Sequence, residues 1–356
     1  MLRANARRML FGALVLLAAG CRGPSERRRV AWPAMGTLAS ITAAGSDRAR
    51  SDEFAAGAKL RLSRLEAALS VYVADSDVSR LSRAAGGPAI PVSADAARLL
   101  LLARHYGEVS GGAFDPTVTP VMKLWGFSGG AKPDRVPDEA AVAAALAGVG
   151  FRRMHADLPP PGATGPPTAR LDAPGMALDL GGLAKGYAVD VCYAALRETG
   201  AARVIVDLGG NMRCIGAPSS ARPWRIGVRN PFNRDEVVGR IGLADGMAVS
   251  TSGDYERFVT VNGERFGHIM DPRTGRPVKG MAGVTVTART AAEADAMSTA
   301  LFVLGPGKGL AALERLEGCE ALWIPDERPL RILLTPGMSR LFTPAPALRA
   351  RVTVLR

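Results

Sequence analysis

The sequence predicts a single α+β domain. Helix-periodic and strand-like segments are mixed along the chain with no regular βα repeat. Between residues 203 and 288, short apolar runs follow one another and Asn262-Gly263 marks a hairpin, so that half reads as antiparallel strands. The 356 residues are 47% hydrophobic, enough for one large core, and carry no internal repeat.

Taken in order, residues 1–20 read as a signal peptide. Arg3, Arg7 and Arg8 form a positive start, and Met9 to Ala19 is an apolar stretch too short to span a bilayer well. The stretch ends in Leu17-Ala-Ala-Gly-Cys21, which resembles a bacterial lipobox and implies cleavage before Cys21 and lipid attachment to its sulfur. An exported protein, anchored by lipid and facing the periplasm or cell exterior, is the expectation. Residues 21–33, with the Arg27-Arg28-Arg29 run, read as a lipidated tether; the folded domain is expected over 34–345, with 346–356 as a tail.

Within the domain, Ala34 to Ile41 reads as a first strand and 52–69 as a helix. Val71 to Leu81 reads as an extended piece entering a short capped helix. Ser93 caps a helix over 94–109 that Gly111-Gly112 ends. Phe114 to Phe127 is too rich in Pro and Thr for a continuous helix and predicts a structured loop with one short helix. An alanine-rich helix follows over 137–147, and the proline clusters of 157–170 predict an exposed loop. Strands are expected near 203–208, 224–229, 237–243, 247–251, 257–261 and 283–288. A helix over 291–304 ends at Gly305-Pro306, and another runs over 308–316. Strands near 321–324 and 330–334 close the domain.

Composition excludes some functions. The net charge of +12 suggests nucleic acid, but only six of the 45 basic residues are lysine and the arginines are spread along the chain. Aromatic residues make up 5% and are nowhere interleaved with basic ones, so no stacking surface for nucleic acid is present. Cys192, Cys214 and Cys319, odd in number and far apart, make neither a disulfide framework nor a zinc site.

The most informative stretch is Ala177-Leu-Asp-Leu-Gly-Gly-Leu-Ala-Lys-Gly-Tyr-Ala-Val-Asp190. It reads as a strand ending at Asp179, a turn through Gly181 and Gly182, and a helix opening at Leu183. Such a junction points backbone N–H groups and a helix N-terminus at one spot, as a phosphate cradle does; the same glycines also serve tight packing alone. Lys185, unfavourable for the helix dipole, suits a nearby anion. Asp295 and Thr299 share a helix face at i, i+4, and supply either hard oxygens for Mg²⁺ or ordinary capping and back-bonding. His105, ending an apolar helix, reads as structural, and His155 as lying on a strand edge. His268, in the polar turn Phe266-Gly-His-Ile-Met-Asp-Pro-Arg-Thr-Gly, reads either as a general base or as a turn residue bonded to Asp271. The hydroxyls of Val249-Ser-Thr-Ser-Gly253 either line a site or cap the backbone.

These segments together resemble the FAD:protein FMN transferase family, the ApbE-like flavin transferases. The resemblance runs from Ala34 to about Gly305 through AMGT, VYVADSDVSRL, GAFDPTVTPVMKLWGF, LDLGGLAKGYAVD, VDLGGN, VSTSGDYERF, HIMDPRTGRP and EADAMSTALFVLG, in the family's order. It implies a compact α+β unit resembling the tunnelling-type fold, with a mixed, largely antiparallel sheet and packed helices. It implies that FAD, bound with Mg²⁺, is attacked at its pyrophosphate by a threonine of an exported, membrane-associated redox protein, leaving FMN as a phosphoester and releasing AMP. Two alternatives accompany it: hydrolysis of FAD to FMN and AMP, and flavin binding without turnover. The resemblance places the metal at the Gly182 carbonyl, Asp295, the Ser298 carbonyl and Thr299. It places FAD against Met35, Tyr72, Ala113, Phe114, Asp115, Asp179, Lys185, His268 and Ile269, with His268 as the base. Val71 and Ser298 depart from the usual pattern, but neither change removes a residue the reaction needs, since position 298 would act through its backbone carbonyl.

Overall fold

The computed structural model describes residues 27–356 apart from 161, 220, 221 and 256; the signal peptide and Cys21 lie outside the described residues. Its centre is a nine-stranded sheet whose spatial order follows chain order. The strands are β1 (Arg27–Ala34), β2 (Thr37–Ala44), β3 (Val204–Leu208), β4 (Asn211–Ile215), β5 (Ala248–Gly253), β6 (Met281–Ala288), β7 (Glu320–Pro325), β8 (Ile332–Leu334) and β9 (Val352–Val354). Neighbours are antiparallel throughout except β8 and β9, which are parallel.

The helices include α1 (Arg48–Leu69), α2 (Asp77–Arg83), α3 (Ala94–Val109), α4 (Thr119–Leu124), α5 (Glu139–Leu146), α6 (Ala184–Glu198) and α7 (Ala291–Leu313). Side chains alternate across the sheet. Val204, Val206 and Leu208 of β3 face a large core built by α1, α3, α6 and α7. Ile205 of β3, Val249 of β5, and Ile332 and Leu334 of β8 face the other way. There a second, three-stranded sheet of Trp224–Asn230, Asn233–Leu243 and Phe342–Pro344 covers them with Trp224, Val238, Ile241, Leu243 and Phe342. The molecule is therefore helices, sheet and sheet in three layers. A smaller apolar cluster joins the short helix Thr119–Leu124 to the hairpin of Phe258–Val261 and Glu264–Gly267 through Trp125, Phe127 and Phe266. Asn262 and Gly263 turn that hairpin with φ of 51° and 79°, the left-handed pair such a turn requires.

The α+β class and the largely antiparallel sheet agree with the sequence, as do Ser93 capping α3 and the break at Gly305, where φ of 67° interrupts α7 before Pro306. By length and composition α7 suffices to cross a membrane, but it packs against β5 and β6 within the core.

Five expectations are corrected. The segment expected as tether is a strand from Arg27 onward, paired with β2 from Arg27↔Ala44 to Ala34↔Thr37. Its arginine run hid the alternation: Arg28, Val30, Trp32 and Ala34 are the half-buried positions. The strand expected over 34–41 is instead the hairpin turn Met35-Gly36 and the start of β2, with φ of 49° and 70° at the turn. Among the described residues Ala177 to Asp179 joins no sheet and makes one isolated bridge, Ala177 with Val118. The segment 346–356 is no tail: Val352–Val354 adds a parallel edge strand to β8. Residues 168–170 of the expected loop also pair, with Met154–Asp157, placing His155 on an edge strand beside Asp172.

Candidate active site

The glycine turn brings α6 down onto α7, and glycine is required at the crossing. A methyl group on Gly186 would lie 2.1 Å from the Ala291 carbonyl oxygen and 2.8 Å from Asp295 Cβ. Because the side chain is missing, the Gly186 N–H donates to Asp295 Oδ2 at 2.9 Å. At Gly182 a methyl group would lie 3.1 Å from Thr299 Oγ1 and 3.3 Å from the Phe114 ring, so the turn, α7 and the 113–115 loop meet at one point.

Asp295 is 4% exposed. Burial pushes its carboxyl above the usual range, partly countered by Lys185, whose Nζ stands 4.0 Å from Oδ2. The same ammonium donates to the Gly181 carbonyl. Below Asp295, one turn on, the Ser298 and Thr299 hydroxyls donate to its carbonyl at 2.9 and 3.4 Å. Ser252 of β5 joins both hydroxyls, at 2.8 and 3.3 Å, and Ser250 donates to Asn211 at 2.6 Å. Ser250 and Ser252 share a strand face by being two apart. That spacing was readable in the sequence, but the partner helix was not.

This set fits a hard cation. The oxygens are one buried carboxylate and neighbouring hydroxyls, with the Gly182 backbone opposite, the donor chemistry Mg²⁺ takes. Among the described residues no cluster of three or more His, Cys, Asp or Glu side chains is placed to hold a metal, so a cation here would rest on one carboxylate with hydroxyl and backbone oxygens.

The cradle expected from the glycine stretch is smaller than the sequence suggests. The N–H of Gly181 is taken by Asp179 Oδ1 at 2.8 Å, that of Ala184 by the Leu180 carbonyl at 2.7 Å, and that of Gly186 by Asp295. Asp179 also accepts from Ser128 at 2.7 Å, a residue held at φ of 46°.

His268 sits half-buried at the rim. Its Nδ1 lies 3.2 Å from the Arg257 carbonyl, which can only accept, so Nδ1 carries the proton and Nε2 keeps its lone pair. Burial, then repulsion from Arg257, then from Lys185, pushes the imidazole down to about 4, so the ring is neutral near pH 7. Asp271 is not its partner; that carboxylate is held bidentately by Arg273. Ile269, buried, anchors the turn by accepting from the Val278 N–H at 2.9 Å.

The structure thus gathers Phe114, Asp179, Gly182, Lys185, His268, Ile269, Asp295, Ser298 and Thr299. Ala113 and Asp115 belong to the supporting loop. Both Asp115 oxygens are spent on Thr117 and on the Phe151 N–H, so its carboxylate pins the loop. Met35 stands at the β1–β2 turn, where its N–H donates to Glu66. Tyr72 is 75% exposed in the turn after α1, where its N–H donates to Ser70 Oγ. Asp190 was not singled out by the sequence. It accepts from the N–H groups of Ala291 and Ala292, each at 2.9 Å, and pairs with Arg213 at 2.8 Å, so it clamps the start of α7 and thereby sets Asp295.

Comparison with known proteins places the chain in a family. The sequence pattern of the ApbE family matches residues 35–323. A protein of Klebsiella pneumoniae named FAD:protein FMN transferase is 33% identical over 310 residues, covering 85% of this chain and 87% of its own. One of the same name from Treponema pallidum is 36% identical over 280 residues, covering 75% of this chain and 76% of its own. Among solved structures, the flavin transferase ApbE of Vibrio cholerae superposes with a TM-score of 0.77 at 29% identity, over 89% of this chain and 100% of that one. The flavinyl transferase ApbE of Pseudomonas stutzeri, in its apo form, gives 0.76 at 32% identity, over 89% and 97%. The chain belongs to the ApbE family.

Proposed function

We propose that this protein is an FAD:protein FMN transferase that moves FMN from FAD onto a threonine of an exported acceptor protein and releases AMP. The observation that carries the reading is a neutral imidazole with a free Nε2 lone pair set beside Lys185 and the buried oxygen cluster of Asp295, Thr299 and Ser252. His268 Nε2 takes the threonine proton. The threonine oxygen bonds to the phosphorus on the flavin side of the pyrophosphate, and the bond to the AMP oxygen breaks. Lys185 balances phosphate charge, and the Phe114 ring walls the site against water. Asp295, Thr299 and the backbone carbonyls of Gly182 and Ser298 would hold Mg²⁺, which would supply Lewis-acid polarisation of the pyrophosphate. Export, and anchoring through a lipid on Cys21, belong to the same reading and are supported by the leader sequence.

The test is to incubate the soluble domain with FAD, Mg²⁺ and a threonine-bearing acceptor domain and to weigh the acceptor. A gain of one FMN unit, lost on chelation, is the expected result. AMP release with no mass gain on any acceptor would replace transfer by hydrolysis, and no AMP at all would leave only flavin binding.

A further inference from the structure

Two clefts, of about 250 and 470 Å³, open side by side where the hairpin of Trp224–Asn230 and Asn233–Leu243 meets the turn after β7. Phe232 and Arg328 line both, and the Arg328 guanidinium stands 3.3 Å from the Phe232 ring centre, so the stacked pair forms the ridge between them. The larger cleft has apolar walls, chiefly Val237, Leu330 and Leu348. The smaller is polar and ends on Asp254, Tyr255 and Arg265.

That end lies against the strand that leads into the base. Asp254 packs on Gly267, the residue before His268, so closely that a methyl group on Gly267 would come within 2.8 Å of Asp254 Cβ. Arg257, which bonds His268 through its carbonyl, follows on the same segment. Asp254 also follows directly on β5, whose Ser252 stands in the oxygen cluster. The clefts therefore form one track running outward from beside Gly267, one residue before His268, and none of the residues assigned to FAD or metal lines it.

We infer that this track seats the acceptor segment bearing the threonine. The segment lies extended, its hydroxyl at His268, its backbone and polar side chains crossing the smaller cleft. An apolar side chain passes the Phe232–Arg328 ridge into the larger one. A hydroxyl on a folded partner reaches Nε2 only with its flanking chain laid on the surface beside the base, and this track is that surface. The inference rests on the transferase reading, since hydrolysis needs no such track.

The experiment is steady-state transfer with three variants, Phe232→Ala, Arg328→Glu and Val237→Asp, and with Leu60→Asp on α1 as control. Val237 and Leu60 are solvent-exposed, so their variants keep the fold even where a ridge variant does not. The expected result is an acceptor KM raised about tenfold or more in each track variant, the scale of one buried interface side chain. FAD affinity and acceptor-free AMP release should stay within about twofold, and the control should be unchanged. Wild-type acceptor KM in all three variants would overturn the track alone. Weakened FAD binding in Val237→Asp would reassign the track to the cofactor and overturn it too. Wild-type protein that releases AMP without loading any acceptor would overturn the transferase reading and the inference with it.

Discussion

Asp295 illustrates how a residue can be wrong for stability and right for chemistry. Its carboxyl is buried against Gly186 and faces a single ammonium at 4.0 Å. A carboxyl whose folded pKa is raised above its unfolded value penalises the native state wherever it is ionised, and the penalty fades as pH falls through the raised value. Asp295→Asn keeps an acceptor for the Gly186 N–H while removing the charge. The variant should match or exceed wild-type Tm and lose at least about a hundredfold in transfer rate; wild-type turnover would remove the metal assignment. His268 makes a second prediction. With its imidazole pushed down to about 4 by burial and by Arg257 and Lys185, the base is competent above that pH and lost below it. The acid limb of kcat/KM should fall near pH 4 and vanish in His268→Ala, whereas a limb near 6.5 would mean a ring open to solvent and not held by its burial.

At the scale of elements, the site is a crossing of two helices. Gly186 permits the approach of α6 and α7, and Asp190, one turn on, fastens the first two N–H groups of α7. Alanine at 186 would gain about 1 kcal/mol of helix propensity in isolation. Here its methyl meets the Ala291 carbonyl at 2.1 Å, backbone that cannot rotate away, and overpacking of that kind costs about 1–3 kcal/mol or more. The clash wins. Gly186→Ala should lower the denaturation midpoint and, by pushing α7 away, weaken Mg²⁺ binding as read by calorimetry. A stabilised variant would show that the two helices are free to separate.

Over the whole molecule, the domain's limits lie in its sheet. β1 and β9 are its two edges, and both fall outside the 34–345 span that composition suggests. A chain cut to 34–345 loses the inward side chains of Val30 and Trp32 from the outer side of α1, together with β9 from β8. Those two side chains alone contribute about 2–4 kcal/mol at partial burial. Thermal unfolding of 34–345 should therefore begin well below that of 22–356, while equal midpoints would make both edges ornaments.

The sequence by itself determined the class, the break at Gly305, the caps and the family resemblance, and it named candidate site residues. Each of these is written locally: caps and turns depend on neighbouring residues, and ordered motifs survive without knowledge of contacts. The tertiary structure decided what depends on partners distant in the chain. It turned an arginine run into a strand, because β2 offered a paired edge. It spent the glycine-loop N–H groups on Asp179, Leu180 and Asp295, turned Asp115 inward, and set Asp190 at the start of α7. It also fixed the His268 proton on Nδ1 through a carbonyl eleven residues away. Burial and hydrogen-bond partners are properties of packing, and no spacing along the chain reveals which distant group will fill a donor's need.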